Sequence, residues 1–126
     1  MTCSISLPYR QPFPAALSRY QSLQTEWNFF ISNNSGTINE IALKEWGTGA
    51  DELALNLEKL AQEPSVKNLS LAKMSLTSFR RKFPRWIADS PAVSSYQTEV
   101  WNNRLYTLER LLKYGEKKHL QGKLGS

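Results

Sequence analysis

The sequence predicts an all-α fold: a single compact bundle of four to six helices preceded by an extended, proline-rich N-terminal arm. Three observations lead there. Apolar residues recur at intervals of three and four over most of the chain, the period of one face of an α-helix. No alternating apolar–polar run ends in a hairpin turn signal, and neither an internal repeat nor a low-complexity tract interrupts the pattern. With 126 residues and 40% hydrophobic content, the chain is long enough for one core and short for two.

The elements follow in order. Residues 1–14 carry Pro8, Pro12 and Pro14 among Leu7, Tyr9 and Phe13, a density that reads as an extended arm whose aromatics pack on the body or on a neighbour. Pro14 suits the first position of a helix. The bundle is expected over 15–115, and its first helix carries Leu17, Tyr20, Leu23, Trp27 and Phe30 on one face before Asn33, Asn34, Ser35 and Gly36 end it. Thr37 and Glu40 have the spacing of a capping box, which opens a short helix to Trp46 stopped by Gly47. Thr48 and Asp51 signal a second start. Beyond it Ala50, Leu53, Ala54, Leu57, Leu60 and Ala61 make an amphipathic stripe closed by Pro64.

Residues 65–92 are less regular. Leu71, Met74, Leu76, Phe79 and Phe83 can line a helical face, and Pro84 is expected to break or kink it near Phe83, with Trp86 and Ile87 on a short turn of helix before Pro91. Ser94 and Gln97 cap the last long helix, with a seam of Trp101, Leu105, Leu108 and Leu112 widened by Val100 and Leu111. Gly115 reads as its C-cap, and 116–126 as a polar, frayed tail.

Several functions find no chemistry here, and the reading is non-enzymatic. The one histidine, His119, falls in the tail, where a general base is not held in place. The one cysteine, Cys3, excludes an internal disulfide and a multi-thiolate zinc site, and no basic neighbour lowers its pKa. Asp51, Glu52 and Glu58 lie off the apolar stripe and read as a solvated face. Trp46-Gly47-Thr48-Gly49 does not complete a phosphate-cradling fingerprint, so it reads as a helix-to-helix turn. No cofactor or metal is expected. Met1–Leu7 has neither a basic nor an apolar leader region, and no run of about 18 apolar residues exists, so a reducing, cytoplasmic setting is expected.

Charge is the informative feature. Residues 1–64 hold four basic groups against seven acids, a balance of −3, whereas 65–126 hold twelve against four, a balance of +8. Such asymmetry points to a polyanionic partner, and bunching of the cations favours that over a merely solubilising face. The densest run contains Lys67, Lys73, Arg80, Arg81, Lys82 and Arg85 without one acid. If Leu76, Phe79 and Phe83 face the core, the helical period turns Arg80, Arg81 and Lys82 outward. A second patch comes from Arg110, Lys113 and Lys117, opposite the Trp101–Leu112 seam with Tyr106, and Lys118 and Lys123 extend it. Cations near a helix C-terminus also suit the macrodipole, which accounts for Lys113 and Lys117 but not for Arg110 or the 80–85 cluster. Trp86 reads as core, with stacking on an unpaired base as the other role. Two patches on different helices imply a sequence-tolerant surface that holds backbone phosphates by charge, with RNA and DNA both open.

Two helix-turn-helix readings stand beside this one. In the first, Thr37–Trp46 and Ala50–Gln62 flank the Gly47–Gly49 turn, but the second helix carries Asp51, Glu52 and Glu58, which phosphates repel. In the second, 71–83 resembles the second helix of arabinose-operon-type regulators, with Ser75 as cap and Phe79 and Phe83 as anchors.

In length, all-helical pattern, lack of catalytic chemistry and the basic groups Arg80, Arg81, Lys82, Arg85, Arg110 and Lys113, the chain resembles the small helical subunits of CRISPR RNA-guided effector complexes. The resemblance is one of architecture over the whole chain. It implies a non-catalytic subunit of an antiviral ribonucleoprotein, stacked beside other subunits or copies of itself, that holds the guide–target duplex or displaced strand by its backbone. The individual contacts named above come from the charge argument instead. A structural adaptor whose basic face meets an acidic protein is the remaining alternative.

Overall fold

A computed structural model of the chain describes residues 12–88 and 90–120, and they form four long helices. These are α1 (Pro12–Asn34), α2 (Glu40–Gln62), α3 (Val66–Ile87) and α4 (Ser95–Gly115), with a 3₁₀ turn at Ser35–Thr37 and a π-type turn at Glu116–Leu120. The connections are short, so successive helices run antiparallel. α2 adjoins α3, α1 adjoins α4, α1 adjoins α2 and α3 adjoins α4, which closes an up-down-up-down bundle. The all-α bundle expected from periodicity is present, at the lower end of the expected helix number.

α1 starts earlier than expected. Pro12 and Phe13 are already buried in its first turn, and Pro14 follows within that turn. The first amides of a helix have no partner inside it, so proline there forfeits no hydrogen bond. The expected arm therefore gives up residues 12–14 to the bundle, and its remainder, 1–11 with Cys3, lies outside the described residues. At the other end, the Asn33 and Asn34 side-chain amides donate to the Phe29 and Phe30 carbonyls at 3.0 and 2.9 Å, closing α1 as the Asn-rich sequence suggested.

The capping box at Thr37 does not form. Thr37 donates its hydroxyl to the Asn34 carbonyl instead, and Asn39 caps α2, accepting from the amides of Ile41 and Ala42 at 2.9 and 3.1 Å. α2 then runs without a stop through Gly47 and Gly49. Two glycines in a helix interior cost roughly 1 kcal/mol each, and the burial of Trp46, Ala50, Leu53, Leu57 and Leu60 on one continuous face outweighs that. Gly49 lies close to two rings of α3: a Cβ there meets Phe79 at 3.2 Å and Trp86 at 3.3 Å, so those rings would have to give by a few tenths of an ångström. The turn required by the first helix-turn-helix reading is absent.

α3 is a second single helix where two pieces were expected. Ser65 caps it, accepting from the Asn68 amide at 3.1 Å. Pro84 falls so near its end that the helix extends only to Ile87 beyond it. The core face is Leu69, Ala72, Leu76, Phe79, Phe83, Trp86 and Ile87, so Leu71 and Met74, expected on it, are exposed. Ser75 is interior to α3, donating to the Leu71 carbonyl and accepting from Asn56 at 2.7 Å each, so it caps nothing and the second helix-turn-helix reading loses its helix start.

α4 opens as expected, with Ser94 accepting from the Gln97 amide at 3.1 Å. Gly115 is not a left-handed cap, since no glycine among the described residues has positive φ. It is buried because Phe13 and Pro12 lie on it. The chain continues as the π-type turn to Leu120, so the expected frayed tail begins no earlier than 121, outside the described residues.

The core has two zones. One is aromatic: Trp27 of α1 stacks on Phe79 of α3 at 5.2 Å and meets Trp46 of α2 and Trp101 of α4 edge-on at 5.6 and 6.3 Å. The other is aliphatic, built from Leu23, Leu53, Leu57, Leu60, Leu69, Leu76, Leu105, Leu108 and Leu112. Two carboxylates of the first half buttress the rim of the aromatic zone. Glu45 accepts from the Trp86 indole at 2.9 Å, and Glu26 from the Trp101 indole at 2.8 Å and from Arg104 at 2.6 Å. Those two donors, the indole first, hold the Glu26 carboxyl below the usual range against the opposing effect of burial. No helix among the described residues is long and apolar enough to cross a membrane.

Candidate nucleic-acid interface

Two ion pairs fix the register of α3 against α4. Lys73 Nζ lies 3.0 Å from Glu116 Oε1, and Arg80 pairs with Glu109. Seven residues forward on one helix thus match seven back on the other, an antiparallel alignment. Arg110 and Lys113 stand level with 76–79 of α3, and the cations of both helices share one side of the molecule.

Helical periodicity and burial distribute them over that side. Lys67, Met74, Arg81 and Arg85, spaced by seven, seven and four, follow the line of α3 directly opposite its core face. All three cations in it are exposed. On α4, Arg110 and Lys113 point away from the Trp101–Leu112 seam, and Lys117 follows on the adjoining turn; all are exposed. Tyr106, 48% exposed, joins the two rows: the Arg80 guanidinium sits 5.3 Å from its ring centroid and that of Arg110 6.0 Å.

Of the eleven cations named from the sequence, ten are among the described residues, and six of these gather freely: Lys67, Arg81, Arg85, Arg110, Lys113 and Lys117. Two sit there but are neutralised. Lys73 and Arg80 are half-buried and held by Glu116 and Glu109, so Arg80 does not project as a free guanidinium as expected. The acids responsible come from α4 and its following turn and not from the acidic first half. Lys82 turns toward α2, where with Arg85 it lines the α2–α3 groove. Lys118 lies over the Tyr114 ring at 5.9 Å. Tyr114 is rotated about 140° around α4 from Glu109, so Lys118 leaves the side shared with α3. Lys123 and the His119 side chain lie outside the described residues.

Trp86 takes the role favoured by its sequence position. Only 7% of it is exposed, with its ring edge-on to Phe79 at 5.2 Å and its indole on Glu45, so it is core and unavailable for stacking. Asp51, Glu52 and Glu58 are exposed as expected, with Asp51 accepting from Gln24 at 3.3 Å. Among the described residues, no carboxylate of the first half pairs with any of the ten cations. Arg104 does pair with one, Glu26.

Sequence reasoning missed Glu109 and Glu116 as partners, since their reach onto α3 depends on the register of two helices far apart in the chain. It also missed Ile41, Leu71 and Met74 as an exposed apolar set. The period anchored on Leu69 and Ala72 instead of Leu71 places Leu71 and Met74 outside, and that signal was present. The comparisons with known proteins add no assignment: no family model, no curated protein and no solved structure matches this chain.

Proposed function

We propose that this chain is a non-catalytic helical subunit that binds nucleic-acid backbone through the α3–α4 face, within a larger cytoplasmic ribonucleoprotein complex such as a CRISPR effector. The observation that carries the reading is the juxtaposition of Lys67, Arg81 and Arg85 with Arg110, Lys113 and Lys117 on adjoining helices, free of carboxylate partners among the described residues. A broad face of this kind neutralises phosphates by charge and releases their counterions, whatever the base sequence. Its arginines add planar donors that match phosphate oxygens. The resemblance to CRISPR small subunits supplies the ribonucleoprotein setting and the protein neighbours.

Salt titration of binding to a random duplex and a random single strand tests the reading. Six free cations set an upper limit, so log K is expected to fall against log salt with a slope no steeper than about −5 on duplex. The triple reversal of Arg81, Arg110 and Lys113 to Glu is expected to abolish binding at physiological salt. Affinity that survives the reversal removes this face from consideration, and strong preference for one operator sequence makes the chain a regulator instead.

A further inference from the structure

A groove of about 1000 Å³ runs between α2 and α3, on the flank next to the basic face. Its register is set by two hydrogen bonds, Trp86 to Glu45 at one end and Asn56 to Ser75 at the other. From Leu71 to Arg85 it is about 21 Å long, or four helical turns. Thr48, Gly49, Ser75 and Ser78 keep its walls low, and the Phe79 and Trp86 rings, close under Gly49, floor it.

Two properties define what fits. The first is apolar area in water: Ile41 is 70% exposed, Met74 66% and Leu71 38%, all lining this groove. The helix interior alone gives no reason for such residues at solvent positions, and methionine is a side chain that adapts to a partner's surface. The second is polarity along the groove. Lys44, Lys82 and Arg85 stand at the end where Glu45 is engaged by Trp86, whereas the lining at the Asn56–Ser75 end holds no cation and only Lys59 lies a turn beyond it. Glu52, midway along the α2 wall, is the one acid that faces the groove without a role in the fold.

We infer that the α2–α3 groove is a docking site for an amphipathic helix of a partner protein, its apolar row on Leu71 and Met74 and carboxylates in its C-terminal turn against Lys44, Lys82 and Arg85, with Ile41 just beyond them at the same end. A cationic cluster meets both those carboxylates and the negative end of the incoming helix dipole, so the partner helix lies parallel to α3. Phosphate backbone does not suit the site, because three apolar side chains offer it nothing and Glu52 repels it. The docking site shares only Lys82 and Arg85 with the ten cations above and does not rest on the nucleic-acid reading.

The test uses the full chain and a fluorescein-labelled synthetic peptide of about 14 residues, with leucines at helical spacing and glutamates in its last turn, followed by anisotropy. Saturable binding is expected. Met74→Glu and, separately, Ile41→Glu are each expected to weaken it about tenfold or more, both at exposed helical positions where circular dichroism checks the fold. Lys113→Glu, on α4, is expected to leave it unchanged. A peptide with its glutamates moved to the first turn is expected to bind several-fold more weakly. Absent binding, binding indifferent to both groove variants, or equal affinity for the two peptides overturns the proposal. So does a peptide-free dimer in sedimentation velocity that Met74→Glu dissolves, which makes the groove a contact between copies. Loss of duplex affinity in Ile41→Glu, which lies off the basic face, as large as in Lys113→Glu assigns the groove to nucleic acid and likewise overturns it.

Discussion

Gly115 and Tyr20 show how much of this bundle is decided by single atoms. A Cβ on Gly115 meets Phe13 Cζ at 2.7 Å and Pro12 Cγ at 2.9 Å, so the first turn of α1 closes against α4 only because that side chain is missing. Gly115→Ala is expected to destabilise the fold by about 1–3 kcal/mol, the usual result of overpacking, which denaturant melts read directly. Tyr20 is fully buried and donates to the Ala50 carbonyl at 2.6 Å. Burial, and secondarily the Asp51 charge, pushes its phenol far above the ordinary value of 10.0. The unfolded chain therefore loses this proton near pH 10 while the folded one keeps it. The stabilisation is complete below pH ~10 and falls by about 1.4 kcal/mol per pH unit above it. Urea midpoints between pH 8 and 11 are expected to show that decline, and Tyr20→Phe to lessen it by one proton. Glu109 belongs at this scale too. By occupying Arg80 it removes one cation from the basic face, so Glu109→Gln is expected to raise duplex affinity and steepen the salt slope by about one unit. A fall in affinity there shows that Glu109 instead holds the face in shape.

At the scale of elements, punctuation marks and period gave opposing advice, and period prevailed. Trp46, Ala50, Leu53, Leu57 and Leu60 step by four, three, four and three straight through Gly47 and Gly49, and all five are buried. The expected break was drawn from the glycines, yet each costs a helix only about 1 kcal/mol, less than one buried large side chain returns. A glycine exposed in mid-helix with open space around it invites a direct check. Gly47→Ala is expected to raise stability by about 1 kcal/mol, the reverse of Gly115→Ala, and a turn at this position predicts no gain. Pro84 was misjudged for the same reason. It forfeits the bond to the Arg80 carbonyl, but Phe83, Trp86 and Ile87 are all buried across it, and that burial carries the helix on to Ile87. Start signals were more dependable than stops. Ser94–Gln97 capped as expected, because the hydroxyl and the amide it receives are local and need no knowledge of the rest of the fold. Thr37–Glu40 failed because the helix starts two residues later than that box requires: Thr37 belongs to the preceding 3₁₀ turn, and Asn39 caps the amides of Ile41 and Ala42.

For the molecule as a whole, the division of charge along the chain became a division in space. The acids of the first half are engaged within it, exposed on α2, or turned to the aromatic rim, where Glu26 and Glu45 hold Trp101 and Trp86. The cations of the second half lie mainly on the outer side of α3 and α4. Their excess was legible from composition, and their outward direction from the period of the core residues. What composition could not give was which of them remain free, because Lys73–Glu116 and Arg80–Glu109 depend on the register between helices. The groove between α2 and α3 was hidden for a related reason, since it exists only once α2 is one helix. Amide chemical-shift mapping of the 15N-labelled chain against a random duplex at low salt tests the central claim most directly. Shifts are expected on the exposed turns of 67–85 and 106–117, with α1 and the acidic face of α2 silent. Shifts centred on α1 or α2, or an unchanged spectrum, contradict the account.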